Sequence, residues 1–155
     1  MNNLLATMCY IDNGDSYLML KRNKKENDIH EGLTISVGGK FEIGESPEDC
    51  VIREVKEETN LDIIKPKLRG IITFPNFDGN KDWYTYVFTA KEYTGNLTKD
   101  CNEGDLVLSL IHISSLIPLP IANDALSPAG FFAKLSNAVA SFDIIILCIR
   151  PFLDV

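Results

Sequence analysis

The chain has 155 residues, of which 45% are hydrophobic and 24% charged, and its formal net charge at pH 7 is -7. This length and composition are typical of one globular domain and exclude an intrinsically disordered chain. The acidic charge argues against binding to a long nucleic-acid backbone, because such binding needs many lysines and arginines. We therefore expect a single domain over residues 1–155 whose partner is a small molecule and not a nucleic-acid polymer.

Four scattered cysteines, without a C-x-x-C pair, accompany only two histidines, His30 and His112. This pattern favours neither a zinc site nor a disulfide framework. The first residues, MNNLLATMCYIDNG, lack the basic and apolar segments of a secretory signal. The apolar stretch 144–149 is too short to cross a bilayer, which takes about 20 residues. We expect a cytoplasmic protein that does not enter a membrane.

Seven segments have the apolar, β-branched or aromatic composition that is typical of strands. They are residues 4–11, 17–21, 33–37, 68–74, 83–91, 106–113 and 144–149. The Asn13-Gly14 pair between the first two segments favours positive φ in a tight turn, so these two segments should form a hairpin. Polar, turn-rich stretches separate most of the other candidates.

Two segments contain Ser-Pro, which is the chemistry of a helix start. In the first segment Ser46 can cap the helix and Pro47 fits its first turn. We predict a helix over residues 47–59 that ends at Asn60, because asparagine tolerates the left-handed conformation. The second helix should span residues 128 to about 140. Strands in adjacent hairpins, interrupted by two helices, predict the α/β (α+β) class with a mixed sheet.

The segment GGKFEIGESPEDCVIREVKEETNL, residues 38–61, is the most informative part of the chain. Glu54, Glu57 and Glu58 stand at i, i+3 and i+4, which places three carboxylates on one helix face. Like charges so close repel one another, and an all-oxygen ligand set suits a hard divalent ion such as Mg²⁺ or Mn²⁺. The alternative is a solvated acidic face that binds no ligand.

The other residues of this segment fit a scaffold for such a site. Val51, Ile52 and Val55 should lie on the opposite side of the helix and pack against the sheet. The backbone of Gly38 and Gly39 can approach another group closely, because neither residue has a side chain. We expect one helix to provide both core packing and the acidic site.

Residues 39–61 resemble the Nudix box, whose pattern is G-x5-E-x7-R-E-U-x-E-E-x-G-U with U aliphatic. The residues in register are Gly39, Glu45, Arg53, Glu54, Val55, Glu57, Glu58 and Leu61. Asn60 replaces the last glycine, and we expect the helix end to survive this change at a cost of about 1 kcal/mol. Residues up to about Phe88 are also similar to MutT-type 8-oxo-dGTP diphosphatases of Gram-positive bacteria. The resemblance implies a Nudix fold, with the mixed sheet packed between helices in an α/β/α sandwich.

The resemblance also implies roles for individual residues. The metal ligands would be Glu54, Glu57, Glu58, the carbonyl of Gly38 and, on a later loop, Glu103. Arg53 and Glu45 would orient these ligands, and Gly39 and Lys40 would meet the substrate phosphates. The metal, Mg²⁺ or Mn²⁺ in its place, would lower the pKa of a water that attacks phosphorus. A nucleoside triphosphate would then yield a nucleoside monophosphate and pyrophosphate.

Three residues outside the box bear on the base of the nucleotide. The resemblance implies that Asn123 reads an oxidised purine, since an amide offers both a donor and an acceptor to the base edge. Phe74 and Trp83 are candidates to stack on the base. The alternatives are ordinary turn or capping roles for Glu103 and Asn123, and core packing for the two aromatic rings.

The favoured substrate is 8-oxo-dGTP or a related oxidised purine nucleotide, which implies a role in sanitation of the nucleotide pool and in DNA repair. The alternatives within the family are ADP-ribose, a dinucleotide and a pterin triphosphate. A different class of protein, a non-catalytic nucleotide sensor, is disfavoured because all three helix glutamates are present. The oligomeric state is left open, a homodimer included. The last third of the chain departs most from the family: residues 106–113 stand where relatives usually have a Trp-containing strand, and residues 142–155 are unusually apolar.

Overall fold

The structure is a computed structural model that describes residues 3–24, 31–77, 81–99 and 101–109, and the backbone of 145–148. Its elements, in chain order, are β1 Leu4–Asp12, β2 Tyr17–Arg22, β3 Thr34–Ser36, α1 Pro47–Thr59, β4 Asp62–Ile64, β5 Lys67–Phe74, β6 Trp83–Ala90, β7 Glu92–Thr94, β8 Gly104–Ser109 and β9 Ile145–Cys148.

Seven strands form one mixed sheet in the order β3-β2-β1-β6-β5-β9, with β8 also paired to β2. β1 runs parallel to β6, and β5 runs antiparallel to β6 and parallel to β9. The predicted hairpin of β1 and β2 is confirmed: Asp12 pairs with Tyr17, and Gly14 has a φ of 97° in the turn between them. The predicted mixed sheet is therefore confirmed for the described strands.

A second, two-stranded sheet was not predicted. β4 pairs antiparallel with β7, with Ile63 opposite Tyr93. Both strands have only three residues, too few to show the period-two alternation by which a strand is detected in a sequence. Other boundaries differ slightly. β3 ends at Ser36, and β8 begins at Gly104, two residues before the predicted start; residues 110–113 lie outside the described part.

Helix α1 has the predicted bounds, and local signals account for both of its ends. The Ser46 hydroxyl accepts a hydrogen bond from the Asp49 N–H at 3.1 Å, and the Asp49 carboxylate in turn accepts from the Ser46 N–H. Pro47 occupies the first turn. At the other end Asn60 has a φ of 63°, and its N–H donates to the Lys56 carbonyl at 2.9 Å. The predicted left-handed asparagine cap is confirmed.

The buried side of α1 packs on the sheet through Cys50, Val51 and Val55. The prediction that Ile52 belongs to this buried side is wrong, because Ile52 remains 42% exposed. The buried residues of α1 are Cys50, Val51, Val55, Glu58 and Thr59. Ile52 lies at the edge of this stripe and is left outside it. Glu58 was predicted on the opposite side from the valines, and it lies on their side.

The other face of the large sheet carries a second apolar cluster of Tyr10, Met19, Ile72 and Val87. The sheet therefore has cores on both faces, and α1 covers one of them. The helix predicted for residues 128–140, which would complete the α/β/α sandwich, lies outside the described residues, as does most of the tail 142–155. Within the described ranges, no helix has the length and apolar character needed to cross a membrane.

Candidate active site

The three glutamates of α1 differ in exposure in the order that their positions on the helix dictate. Glu58 belongs to the buried stripe and is only 6% exposed. The Glu54 side chain, farther round the helix, is 16% exposed, and that of Glu57 is 60% exposed. The three carboxylates thus form a row that leads from the edge of the core to solvent.

The Gly38-Gly39 pair provides the surface against which two of these acids rest. The amides of Cys9 and Thr7 in β1 donate to the carbonyls of Val37 and Gly39, at 2.7 and 2.8 Å. Gly38, between those carbonyls, donates its own N–H to the Glu58 carboxylate at 2.8 Å.

Gly38 has no room for a side chain, and at Gly39 a side chain would require the Glu54 carboxylate to move. A Cβ on Gly38, whose φ is 141°, would overlap the Thr7 carbonyl oxygen, and a Cβ on Gly39 would overlap the Glu54 carboxylate. The close approach predicted for this glycine pair is therefore present. The partner of Gly39 in that contact is a carboxylate of the candidate site.

Arg53 lies at the centre of the ion pairs. Its Nε and Nη2 atoms donate to the two carboxylate oxygens of Glu45, at 2.6 and 3.0 Å. Its Nη1 atom donates to Glu54 at 2.8 Å and to Glu57 at 3.3 Å. Nη2 also donates to the Lys40 carbonyl at 3.0 Å. Every donor nitrogen of this guanidinium is used, so Arg53 holds the box loop and the helix acids in one network.

The charges of this network shift the pKa values of its members. The Arg53 guanidinium, helped by the backbone at Glu42, lowers the pKa of Glu45 to about 2. Hydrogen bonds to Glu45 raise the pKa of Arg53 above its ordinary value. Burial raises the pKa of Glu54, against the opposing effect of Arg53. Glu45 is therefore a fixed anion beside a fixed cation at neutral pH, as a residue that only orients others would be.

Glu103, from the loop before β8, is brought to the same place as Glu58. Burial, together with the charge of Glu103 and a hydrogen bond between the two carboxyl groups, raises the pKa of Glu58 to about 8; the Gly38 N–H acts in the opposite direction. Glu103 and Glu54 also repel each other electrostatically. Three carboxyl groups from two distant segments thus share a mostly buried region.

The donor set fits a hard divalent cation, because it consists of carboxylate oxygens with a surplus of negative charge. In the arrangement described, however, no group of three Asp, Glu, His or Cys side chains of residues 3–24, 31–77, 81–99 and 101–109 is ready to hold a metal ion. Glu54 and Glu57 are directed to Arg53, and Glu58 to Gly38. Convergence on one ion would require side-chain rotation, most of all by the exposed Glu57.

The predicted aromatic residues cluster at the end of the sheet where β5 ends and β6 begins. Phe74 and Trp83 are register partners, and Phe77 contacts both, with ring centroids 5.3 and 5.2 Å away. The ammonium group of Lys40 lies 5.3 Å from the centre of the Trp83 ring. The Trp83 Nε1–H is buried and has no hydrogen-bond partner among the described residues. Lys40 therefore links the Nudix-like box to this aromatic cluster.

Other parts of the prediction are not brought together. Asn123 lies outside the described residues. A cavity of about 510 Å³, lined by residues 12–14, Ile64 and residues 91–93, includes none of the predicted site residues. Arg22, which donates a hydrogen bond to Glu103, was not singled out in the sequence. No local signal marks it, because its partner is 81 positions away.

Comparison with known proteins identifies the family to which this chain belongs. Residues 2–129 match the NUDIX domain family, and the chain belongs to this family. Members of this family generally use divalent metal ions and act on small nucleotide substrates. The resemblance of the box is thus confirmed at the level of the family, and so is the fold class, a mixed sheet with a helix.

Two individual relatives are similar in sequence over part of their length. The chain is 38% identical over 104 residues to an uncharacterized Nudix hydrolase, YvcI, of Bacillus subtilis (strain 168); the match covers 65% of this chain and 62% of YvcI. It is 32% identical over 87 residues to an ADP-ribose pyrophosphatase of Methanocaldococcus jannaschii, covering 56% and 50%. The chain thus spans between half and two thirds of the length of these relatives.

Solved structures agree on the fold. The structure is similar to the mutator MutT protein from Bacillus halodurans, with a TM-score of 0.72 and 27% identity, covering 97% of this chain and 93% of that one. It is also similar to the E. coli ORF135 protein, with a TM-score of 0.67 and 18% identity, covering 91% and 93%. At 18% identity the second likeness concerns the fold alone.

Proposed function

We propose that this chain hydrolyses a phosphoric anhydride bond in a nucleotide, with a divalent ion bound by Glu54, Glu57, Glu58, Glu103 and the Gly38 carbonyl. One observation carries the proposal. Burial, together with the neighbouring charge of Glu103, raises the pKa of both Glu54 and Glu58, so the three carboxyl groups lie close together in a mostly buried region. Arg53 and Arg22 offset only part of the negative charge of this cluster, and the remainder is costly to bury unless a cation binds there.

A bound Mg²⁺ would lower the pKa of a water and offset the charge that develops on the phosphoryl oxygens. The chain's own residues have supporting tasks. Arg53 orients Glu54 and Glu57 while Glu45 fixes Arg53, and the Gly38 N–H orients Glu58. The exposed Lys40, next to Gly39, supplies positive charge for a phosphate group.

We further propose that the substrate is a purine nucleoside triphosphate, 8-oxo-dGTP or a related oxidised nucleotide, cleaved to the monophosphate and pyrophosphate. The similarity to the mutator MutT protein, at 27% identity over nearly the full chain, supports this proposal. The cluster of Phe74 and Trp83 supports it as well, since aromatic rings beside a lysine suit a flat base joined to phosphates. Asn123 remains the candidate that reads the oxidised base edge.

A second candidate is hydrolysis of ADP-ribose. The observation in its favour is the 32% identity to a relative named ADP-ribose pyrophosphatase, which exceeds the 27% identity to the mutator MutT protein although it covers only 87 residues. The same acidic cluster would serve both reactions, because both break a phosphoric anhydride bond. The two candidates differ in the group that the aromatic cluster has to accommodate.

A substrate panel distinguishes the two candidates. The purified protein is incubated with Mg²⁺ and with 8-oxo-dGTP, dGTP or ADP-ribose, and the phosphate products are identified by chromatography. We expect a monophosphate and pyrophosphate from 8-oxo-dGTP, at a higher kcat/KM than from dGTP. Preferential release of AMP and ribose phosphate from ADP-ribose would favour the second candidate. An absence of turnover on every substrate would contradict both.

A matched pair of variants tests the site itself. Glu57→Gln and Glu48→Gln are the same substitution at exposed positions of the same helix, and Glu48 lies in the first turn, away from the predicted ligand positions. We expect only Glu57→Gln to lose activity. Equal activity of the two variants would show that Glu57 has no part in the reaction.

A further inference from the structure

Arg22 is the last residue of β2, and it meets Glu103 through the pairing of β2 with β8. The two strands run antiparallel from Tyr17 opposite Ser109 to Arg22 opposite Gly104. Because Glu103 directly precedes Gly104, its side chain comes next to that of Arg22. The Arg22 Nη1 atom donates a hydrogen bond to the Glu103 carboxylate, and the two side chains are only 12% and 27% exposed.

The backbone around Glu103 is held in place by contacts that do not involve the Arg22 side chain. Gly104 allows β8 to approach β2, since a Cβ there would overlap the Lys21 carbonyl oxygen. The Asn23 side chain donates to Asp105 at 2.7 Å, and the Lys24 ammonium donates to the Cys101 carbonyl at 3.0 Å. The loop is therefore anchored on both sides of Glu103, and Arg22 acts on the carboxylate.

That carboxylate faces other negative charges. Glu103 accepts a hydrogen bond from Glu58 when Glu58 is protonated, and its charge repels the ionised forms of both Glu58 and Glu54. Without a cation beside it, a carboxylate in this position would turn toward water, because burying an unpaired charge costs several kcal/mol. Arg22 supplies the cation for Glu103, and Arg53 pairs with Glu45, Glu54 and Glu57.

We propose that Arg22 is a positioning residue that holds the Glu103 carboxylate beside Glu58 and so completes the acidic cluster for a divalent ion. The inference rests on the proposed function. Arg22 and Arg53 then have parallel tasks: Arg53 orients the acids that α1 provides, and Arg22 orients the one acid that comes from a different part of the chain.

Direct binding of Mn²⁺, measured by electron paramagnetic resonance without substrate, tests this role. We expect Arg22→Gln to weaken Mn²⁺ binding by about 10- to 100-fold, as is typical when a group that orients a metal ligand is removed. Arg22→Lys keeps the charge and should recover most of the affinity. In the Glu103→Gln background, Arg22→Gln should weaken Mn²⁺ binding no further, because the carboxylate that Arg22 orients is gone.

The control is Arg69→Gln, which removes another partly buried arginine on a strand, one that donates a hydrogen bond to Thr89 of β6. It should leave Mn²⁺ binding unchanged. An Arg22→Gln variant that melts at a lower temperature but binds Mn²⁺ like the parent would overturn the proposal. If this variant does not fold, the comparison of Glu103→Gln with the double variant still decides, since a further loss of affinity in the double variant contradicts the proposal.

The same measurement separates this inference from the proposed function. A parent that binds Mn²⁺, loses it on Glu57→Gln and keeps it on Arg22→Gln would leave the proposed site intact and refute only the role of Arg22. A parent that does not bind Mn²⁺ at all would refute both.

Discussion

Glu58→Gln should stabilise the metal-free protein while abolishing its activity. The Glu58 side chain is 6% exposed, accepts a hydrogen bond from the Gly38 N–H at 2.8 Å and faces the Glu103 carboxyl group. Glutamine has the same shape. Its carbonyl oxygen can accept from Gly38, and its amide can donate to Glu103, so the variant makes both hydrogen bonds without the proton that the Glu58 carboxyl must bind.

The magnitude of the stabilisation expected from Glu58→Gln follows from the raised pKa of Glu58. In the unfolded chain the Glu58 carboxyl has a pKa near 4.5, and in the folded protein burial and Glu103 raise it to about 8. Between these two pH values the folded state binds more protons than the unfolded state, so stability falls as pH rises. At pH 7.5 the free energy of unfolding of the parent is lowered by roughly 1–3 kcal/mol for this reason, and Glu58→Gln should avoid this loss of stability. In a domain of this size that corresponds to a rise in Tm of about 5 °C.

The assay is thermal unfolding in EDTA at pH 5 and pH 7.5, repeated with Mg²⁺. We expect the variant to melt above the parent at pH 7.5 and close to it at pH 5, where the parent Glu58 is mostly protonated. Mg²⁺ should raise the Tm of the parent but not of the variant, and turnover of the variant should fall by at least about 100-fold. A variant less stable than the parent at pH 7.5 in EDTA would refute the reasoning, since Glu58 would then be stabilising as an anion.

Three further outcomes are expected. Glu57→Gln should reduce turnover by at least about 100-fold and leave the Tm within a degree or two, because its side chain is 60% exposed; near-normal turnover with Mg²⁺ would exclude it as a ligand. Gly39→Ala should displace the Glu54 carboxylate, which a Cβ would overlap, and should therefore weaken Mn²⁺ binding. Unchanged Mn²⁺ affinity would show that the contact of Gly39 with Glu54 does not position this ligand. Asn123→Ala should raise KM for 8-oxo-dGTP more than for dGTP, by roughly 1–3 kcal/mol of lost discrimination; equal effects on both KM values would remove Asn123 from base recognition.

The parts of this protein that depend on near neighbours could be predicted from the sequence. Ser46 and Pro47 begin α1 and Asn60 ends it through contacts within three or four residues, so the predicted helix has the observed bounds. The turn at Gly14 depends on local backbone freedom in the same way. The box pattern also indicated the family, because its spacing on one helix is a local property.

The tertiary structure decided how those residues meet the rest of the chain. The packing of α1 on the sheet buried Glu58 with Val51 and left Ile52 in solvent, which the periodicity alone did not distinguish. The contact of Arg22 with Glu103 joins positions 81 residues apart and arises from the register of β2 and β8. The register of the strands and the side of a helix that is buried are set by packing of the whole core, so no short stretch of sequence specifies them.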